Sequence, residues 1–145
     1  MQPPYHPLFV HFPIALYFLG VLMTLTALLD RRPTAPQAEY ERFAYWAFFL
    51  SWLAAIIASL VGLVDRGQLD YDDPRRDALD RHISQAILFM IFNGLLLYMR
   101  FRWPDVLYSS RRWFYLALMA LGVVTLAATG WFGGELVYEL QVGVR

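Results

Sequence analysis

The chain has 145 residues, of which 59% are hydrophobic and 17% charged, whereas an ordinary soluble domain is about 45–50% apolar and about 25% charged. It contains no cysteine, which excludes disulfides, thiolate ligation of iron–sulfur clusters and covalent haem attachment through cysteine. Its formal net charge is zero, so the composition offers no basic surface for nucleic acid.

The hydrophobic residues are concentrated in four uncharged runs, at residues 8–29, 43–64, 83–99 and 113–134. A helix of 22 residues, the length of three of these runs, is roughly 33 Å long, and this is enough to cross a hydrocarbon core of about 30 Å. The runs lack the alternation of barrel strands, and helices satisfy their own backbone hydrogen bonds in lipid. The sequence therefore predicts an all-α integral membrane protein, an up-down bundle of four transmembrane helices.

The three connections, at residues 30–42, 65–81 and 100–112, are short. We therefore expect residues 1–145 to form a single domain in which sequential helices are antiparallel neighbours. Both termini then lie on one side of the membrane, here named side A, and the opposite side is side B. Side B carries seven of the twelve arginines and side A carries five, which favours side B in the cytoplasm. This predicts a bacterial inner-membrane protein with periplasmic termini.

Small residues recur at a spacing that suits close helix packing in lipid. On the second run these are Ala54, Ala58 and Gly62, and on the fourth run Gly130 and Gly134 form a Gly-x-x-x-Gly pair. Alanine and glycine are also common in membrane helices generally, so the sequence leaves both interpretations open.

All three histidines, His6, His11 and His82, lie on side A. Helices one and three run in the same direction and are diagonal partners in an up-down bundle, so we expect His11 and His82 to face each other across its interior. Two imidazoles placed in this way are what axial ligation of a haem requires. The sequence predicts a b-type haem between these helices near the periplasmic face, with electron transfer as the function.

The residues around the two histidines extend this prediction. Helical steps below His82 lead to Gln85, Phe89 and Asn93, which predicts an inward-facing stripe because polar residues in a span usually find partners inside. Helical steps below His11 lead to an apolar wall formed by Ile14, Phe18 and Leu22. Pro13 either starts the first helix, which leaves His11 just before it, or kinks it. We expect His6, Gln85 and Glu135 to surround the ligands, with Glu135 accepting an imidazole N–H.

Two alternatives remain open for the histidines. A non-haem zinc, copper or iron site would combine the three of them with carboxylates of Glu135, Asp77 or Asp80. The histidines would otherwise be ordinary hydrogen-bonding residues at helix ends. The chain has no Gly-x-Ser-x-Gly, no His-Glu-x-x-His and no phosphate-binding glycine loop, so the sequence favours a protein that is not an enzyme.

The two ends of the chain together resemble a bacterial four-helix family of predicted membrane proteins with a domain of unknown function. The opening HPLFVHFPIAL corresponds to the pattern His-Pro-x-x-x-His-Phe-Pro, on His6, Pro7, His11, Phe12 and Pro13. An aspartate after helix two corresponds to Asp65, and the histidine of helix three to His82. The closing Gly-Gly-Glu-Leu-Val-Tyr corresponds to Gly133, Gly134, Glu135, Leu136, Val137 and Tyr138.

This resemblance implies a respiratory or electron-transfer setting, because members are sometimes associated with Rieske-type iron–sulfur proteins. Many members continue the closing motif with His-Gly-Val-Gly-Val, where this chain has Leu140 and Gln141. A potential fourth histidine is therefore absent, while a pair of His11 and His82 is retained. The alternative function is a non-catalytic accessory or scaffold subunit, whose partners would be the lipid bilayer and a larger respiratory or photosynthetic membrane complex, or a homo-oligomer.

Overall fold

A computed structural model of the chain describes residues 9–29, 35–66, 73 and 75–140, without the side chains of residues 35–38, 65 and 66. Within these residues there are four long helices and no strand. The helices are α1 (His11–Leu29), α2 (Ala35–Arg66), α3 (Arg76–Arg102) and α4 (Arg112–Tyr138), and a 3₁₀ turn at Val106–Tyr108 lies between α3 and α4. Each helix is long and apolar enough to cross a bilayer, so the predicted all-α bundle of four transmembrane helices is confirmed.

Helices α2, α3 and α4 extend beyond their uncharged runs into the predicted connections, whereas α1 lies within its run. A charge ends a hydrophobic run without ending a helix, because a charged side chain at a helix end can extend into water and headgroups. Pro13 and Pro36 lie within the first three residues of α1 and α2, where no intrahelical N–H bond is lost. Pro13 therefore does not kink α1, and His11 is the first residue of the helix.

The helices pack as two pairs, α1 with α2 and α3 with α4, and α2 also packs against α3. The buried residues of α1 are Pro13, Tyr17, Gly20, Thr24 and Ala27, and those of α2 include Glu41, Ala44, Phe48, Ser51, Ala55 and Ala58. Steps of three and four keep one face of each helix toward its partner. Of the three small residues on α2, Ala58 is buried in this stripe. The stripe continues through Ala55 rather than through Ala54 and Gly62, which are half-buried.

Tyr17 lies at the centre of the bundle and contacts all three other helices. Its ring meets Phe48 of α2 and Phe89 of α3 edge to face, with ring centroids 5.0 and 4.9 Å apart. Its hydroxyl donates a hydrogen bond to the Met119 carbonyl oxygen of α4 at 3.1 Å. Gly122 lies beside this hydroxyl, where an added Cβ would be 1.9 Å from the tyrosine oxygen. Aromatic rings therefore fill the centre of the bundle.

On side B, a buried carboxylate connects α2 to α3 and to the connection that follows α3. Glu41 is only 8% exposed, and it accepts hydrogen bonds from the Arg100 guanidinium and the Tyr108 hydroxyl. Arg100 also donates to the Pro104 carbonyl oxygen. A charge removed from water requires such partners, so these residues act as one network.

On side A, Asp73 accepts hydrogen bonds from both the guanidinium and the backbone N–H of Arg75, just before α3 begins. These hydrogen bonds to the charged form lower the pKa of Asp73 to about 2.

Candidate functional site on side A

The side A ends of α3 and α4 bring His82 against the backbone of α4. The His82 Nδ1 lies 2.9 Å from the Thr129 carbonyl oxygen. The ring also lies close to Gly133, where an added Cβ would be 3.1 Å from the His82 Cε1 atom. Glycine at position 133 therefore allows the imidazole to approach α4 closely, which explains one glycine of the closing motif.

The hydrogen bond to Thr129 sets the tautomer of His82. A carbonyl oxygen only accepts, so Nδ1 carries the proton and Nε2 carries the lone pair of the neutral ring. A backbone carbonyl at one ring nitrogen is the arrangement that orients imidazoles for metal ligation through the other. The same arrangement also serves as an ordinary interhelical hydrogen bond.

Glu135 and Gln85 lie near the same ends of α3 and α4. The Glu135 carboxylate pairs with Arg81 at 3.6 Å, and the Arg81 guanidinium lies 5.9 Å from the centre of the Phe132 ring. An open cleft of about 510 Å³ lies beside this pair, and it is lined by Asp77, Asp80, Arg81, Ser84, Gln85 and Phe132. Glu135 was expected to accept an imidazole N–H. In the structure the His82 Nδ1 donates to the Thr129 carbonyl oxygen instead, and Glu135 forms an ion pair with Arg81.

His11 lies at a similar depth to His82 but points in another direction. It precedes the central Tyr17 by six residues, about 9 Å along the axis, and His82 precedes Phe89 by seven, about 10.5 Å. At about 100° per residue, a side chain six positions before the inward-facing Tyr17 points about 120° away from the bundle interior. A side chain seven positions before the inward-facing Phe89 points only about 20° away from it. Accordingly His11 is exposed and His82 is half-buried. His6 lies outside the described residues.

The stripe predicted below His82 is confirmed for Phe89, which is 2% exposed, and for Asn93, which is fully buried, while Gln85 is half-buried beside the open cleft. The apolar wall predicted below His11 does not face the bundle interior, since Phe18 and Leu22 are 47% and 56% exposed. The inward face of α1 instead carries Tyr17. A tyrosine within an apolar run needs a partner for its hydroxyl, and this signal could have identified the central residue.

The non-haem metal alternative depends on residues that the structure describes only in part. Across residues 9–29, 35–66, 73 and 75–140, no three His, Cys, Asp or Glu side chains lie close enough together to hold a metal ion.

The whole chain matches a known family. The model for "Predicted membrane protein (DUF2231)" covers residues 2–145. The chain belongs to this family. Membership confirms the resemblance drawn from the two end motifs and, with the four apolar helices, identifies a membrane protein. No curated protein and no solved structure matches the chain.

Proposed function

We propose that this DUF2231 protein is a non-catalytic accessory subunit of a larger membrane complex, held there by the outer face of α4. That face is defined by exposed residues at alternating steps of four and three, namely Trp113, Ala117, Ala120, Val124, Ala127 and Trp131. Gly130 lies beside it, and an added Cβ there would meet no atom within 4 Å. The buried faces of α1 and α2 have the same alternating steps of three and four residues. This similarity supports packing of the outer face of α4 against a further helix.

The outer faces of α1 and α2 carry larger side chains than the part of the α4 face formed by Ala117, Ala120 and Ala127. On α1 they carry Phe18, Leu22 and Leu25, and on α2 they carry Leu53, Ile57 and Leu60, all exposed. Bulky side chains suit contact with lipid tails, whereas small residues let helix backbones approach closely. This contrast is the observation that carries the proposal.

Cysteine cross-linking in native membranes tests the proposal, and the absence of native cysteine makes the experiment specific. Ala127→Cys lies on the outer face of α4, and Ile87→Cys on α3 is a matched control, because each residue lies eleven positions from the side A end of its helix and is exposed. A bismaleimide should link Ala127→Cys to a different, larger membrane protein and should leave Ile87→Cys unlinked. A product of twice the chain mass would indicate self-association, and no product from either variant would show that the face meets lipid. Both results contradict an accessory role.

The second candidate function is electron transfer by a b-type haem, which the setting of His82 favours. The hydrogen bond to Thr129 orients the His82 ring at the side A end of α3, and Gly133 leaves room for this ring against α4. A haem would supply one-electron transfer. The described residues fit one axial ligand, His82. Because His11 lies on the outer half of α1, it is a second ligand only for a haem that extends beyond the bundle interior.

A reduced-minus-oxidised spectrum of the detergent-purified protein distinguishes the two functions. If His82 ligates haem, His82→Ala should abolish the b-type spectrum. His11→Ala should abolish or shift the spectrum only if His11 is the second ligand, and His6→Ala should change it less. Glu135→Gln should alter the midpoint potential and retain the haem. A colourless, folded protein without bound metal would contradict this candidate and leave the accessory role untouched.

A further inference from the structure

The side B end of α3 and α4 carries exposed arginines stacked on tryptophans. The guanidinium carbons of Arg102 and Arg111 lie 5.7 and 5.0 Å from the centre of the Trp103 ring. The Arg112 guanidinium carbon lies 4.9 Å from the centre of the Trp113 ring. These five residues form the arginine–tryptophan cluster.

No carboxylate with a described side chain neutralises the positive charge of this cluster. Among the residues with described side chains, no carboxylate forms an ion pair with Arg102, Arg111 or Arg112. The nearby carboxylate of Glu41 is already occupied by Arg100 and Tyr108. Within the described part of the chain, the cluster therefore presents three guanidinium groups without a carboxylate partner at one end of the bundle.

The cluster is held in place by a well-packed connection. Val106 and Leu107 are buried in the core, and the Trp103 backbone N–H donates to the Met99 carbonyl oxygen at 2.9 Å. Stacking on an indole limits the conformational freedom of a guanidinium group. The cluster is thus arranged before any ligand arrives.

An exposed apolar surface lies next to the cluster, on helices that are long and apolar enough to cross a membrane. Phe101 and Phe114 are 76% and 63% exposed, and they flank the cluster at the ends of α3 and α4. Tryptophan and arginine are the residues that occupy the level of lipid headgroups. A ligand that binds both the guanidinium groups and this apolar surface needs an anionic head and apolar chains.

We propose that the arginine–tryptophan cluster binds the headgroup of an anionic phospholipid in the side B leaflet. Guanidinium N–H groups of Arg102, Arg111 and Arg112 donate to the phosphodiester oxygens, for which their planar fork is suited. The acyl chains lie along Phe101 and Phe114. Each arginine contributes about five-fold to the affinity, as expected for basic residues at an anionic membrane surface.

Native mass spectrometry of the full-length protein in detergent tests this site. Phosphatidylglycerol is compared with phosphatidylcholine of the same acyl chains. The wild type should retain phosphatidylglycerol preferentially, and Arg111→Gln should weaken its binding about five-fold. Arg42→Gln is the matched control, because Arg42 is an exposed arginine near the side B end of α2 and lies outside the cluster. This substitution should leave lipid binding unchanged.

Three results would overturn the proposal. Equal retention of the two lipids would exclude headgroup recognition. A loss with Arg42→Gln as large as with Arg111→Gln would indicate diffuse attraction to the leaflet. Displacement of the lipid by millimolar inorganic phosphate would indicate a site for a free anion. Arg111 is exposed, and a thermal-unfolding scan confirms that each variant is folded.

Discussion

The hydroxyl of Tyr17 and the backbone of Gly122 meet at the centre of the bundle, where the glycine leaves the space that the tyrosine occupies. Only with this space does the hydroxyl reach the Met119 carbonyl oxygen. The contact connects α1 to α4, a pair of helices that otherwise touch at few residues. The fit of these two residues therefore adds an α1–α4 contact to the packing of α2 against α3, which also joins the two halves of the bundle.

Gly122→Ala should destabilise the bundle by about 1–3 kcal/mol, because the added methyl group displaces Tyr17 from its hydrogen bond and its ring contacts. Gly130→Ala is the control on the same helix, since its Cβ would meet no atom within 4 Å. The measurement is the unfolding free energy in mixed detergent micelles. Equal effects of the two substitutions would show that Tyr17 and Gly122 are not in contact.

Asn93→Leu should raise stability, by about 1 kcal/mol. Asn93 is fully buried, and its Nδ2 donates to the Phe48 carbonyl oxygen at 3.2 Å. Its Oδ1 has no hydrogen-bond partner among the described residues, so leucine removes an unsatisfied acceptor.

Ser51→Ala provides the comparison for Asn93→Leu. The Ser51 hydroxyl donates to the Pro13 carbonyl oxygen at 2.8 Å, and its loss should lower stability by about 0.6 kcal/mol, the average for such bonds between membrane helices. If Asn93→Leu is instead the more destabilising of the two, the Oδ1 atom has a partner in the folded protein.

Glu41→Ala should destabilise the protein by about 3 kcal/mol, because Arg100 is left buried without its counter-ion. Arg42→Ala, at the exposed neighbouring position, should have little effect. The double variant Glu41→Leu with Arg100→Met should recover much of the loss, since it removes both charges. If the double variant is no more stable than Glu41→Ala, the Glu41 carboxylate and the Arg100 guanidinium are not energetically coupled.

The Asp73 carboxyl should titrate near pH 2 in the folded protein. Because the folded pKa lies below the ordinary value, the hydrogen bonds with Arg75 stabilise the fold fully above about pH 4, and their contribution is lost as the pH falls toward 2. Carboxyl NMR shifts report the midpoint directly. Arg75→Gln should move the midpoint up toward 3.8, and an unchanged midpoint would exclude Arg75 as the cause.

The bias of seven arginines to five predicts that side B faces the cytoplasm. A periplasm-active reporter should be active when fused after residue 145 and inactive when inserted at Ser110, an exposed residue of the connection between α3 and α4. Inserting the reporter at Ser110 rather than at the buried Val106 keeps the fold intact. Activity at Ser110 alone would reverse the orientation and place His82 on the cytoplasmic side.

The number and class of the helices follow from the sequence alone. A membrane core requires long uncharged helices, so the four runs could be recognised without any knowledge of packing. The same reasoning assigned the three histidines to one side. The charged helix ends were less predictable: Glu41 belongs to a predicted connection, yet α2 begins at Ala35 and Glu41 becomes a buried partner of Arg100.

The direction in which each side chain points was decided by the tertiary structure. In a soluble helix the polar face shows which side meets water, but these helices are apolar on most sides, so the sequence pattern does not distinguish the lipid-facing surface from the interior. The polar residues Gln85 and Asn93 below His82 predict an inward direction for it, and its half-buried ring lies against α4. His11 had only apolar neighbours to indicate its direction, and the packing of Tyr17 against Phe48, Phe89 and Gly122 turns it toward the outside.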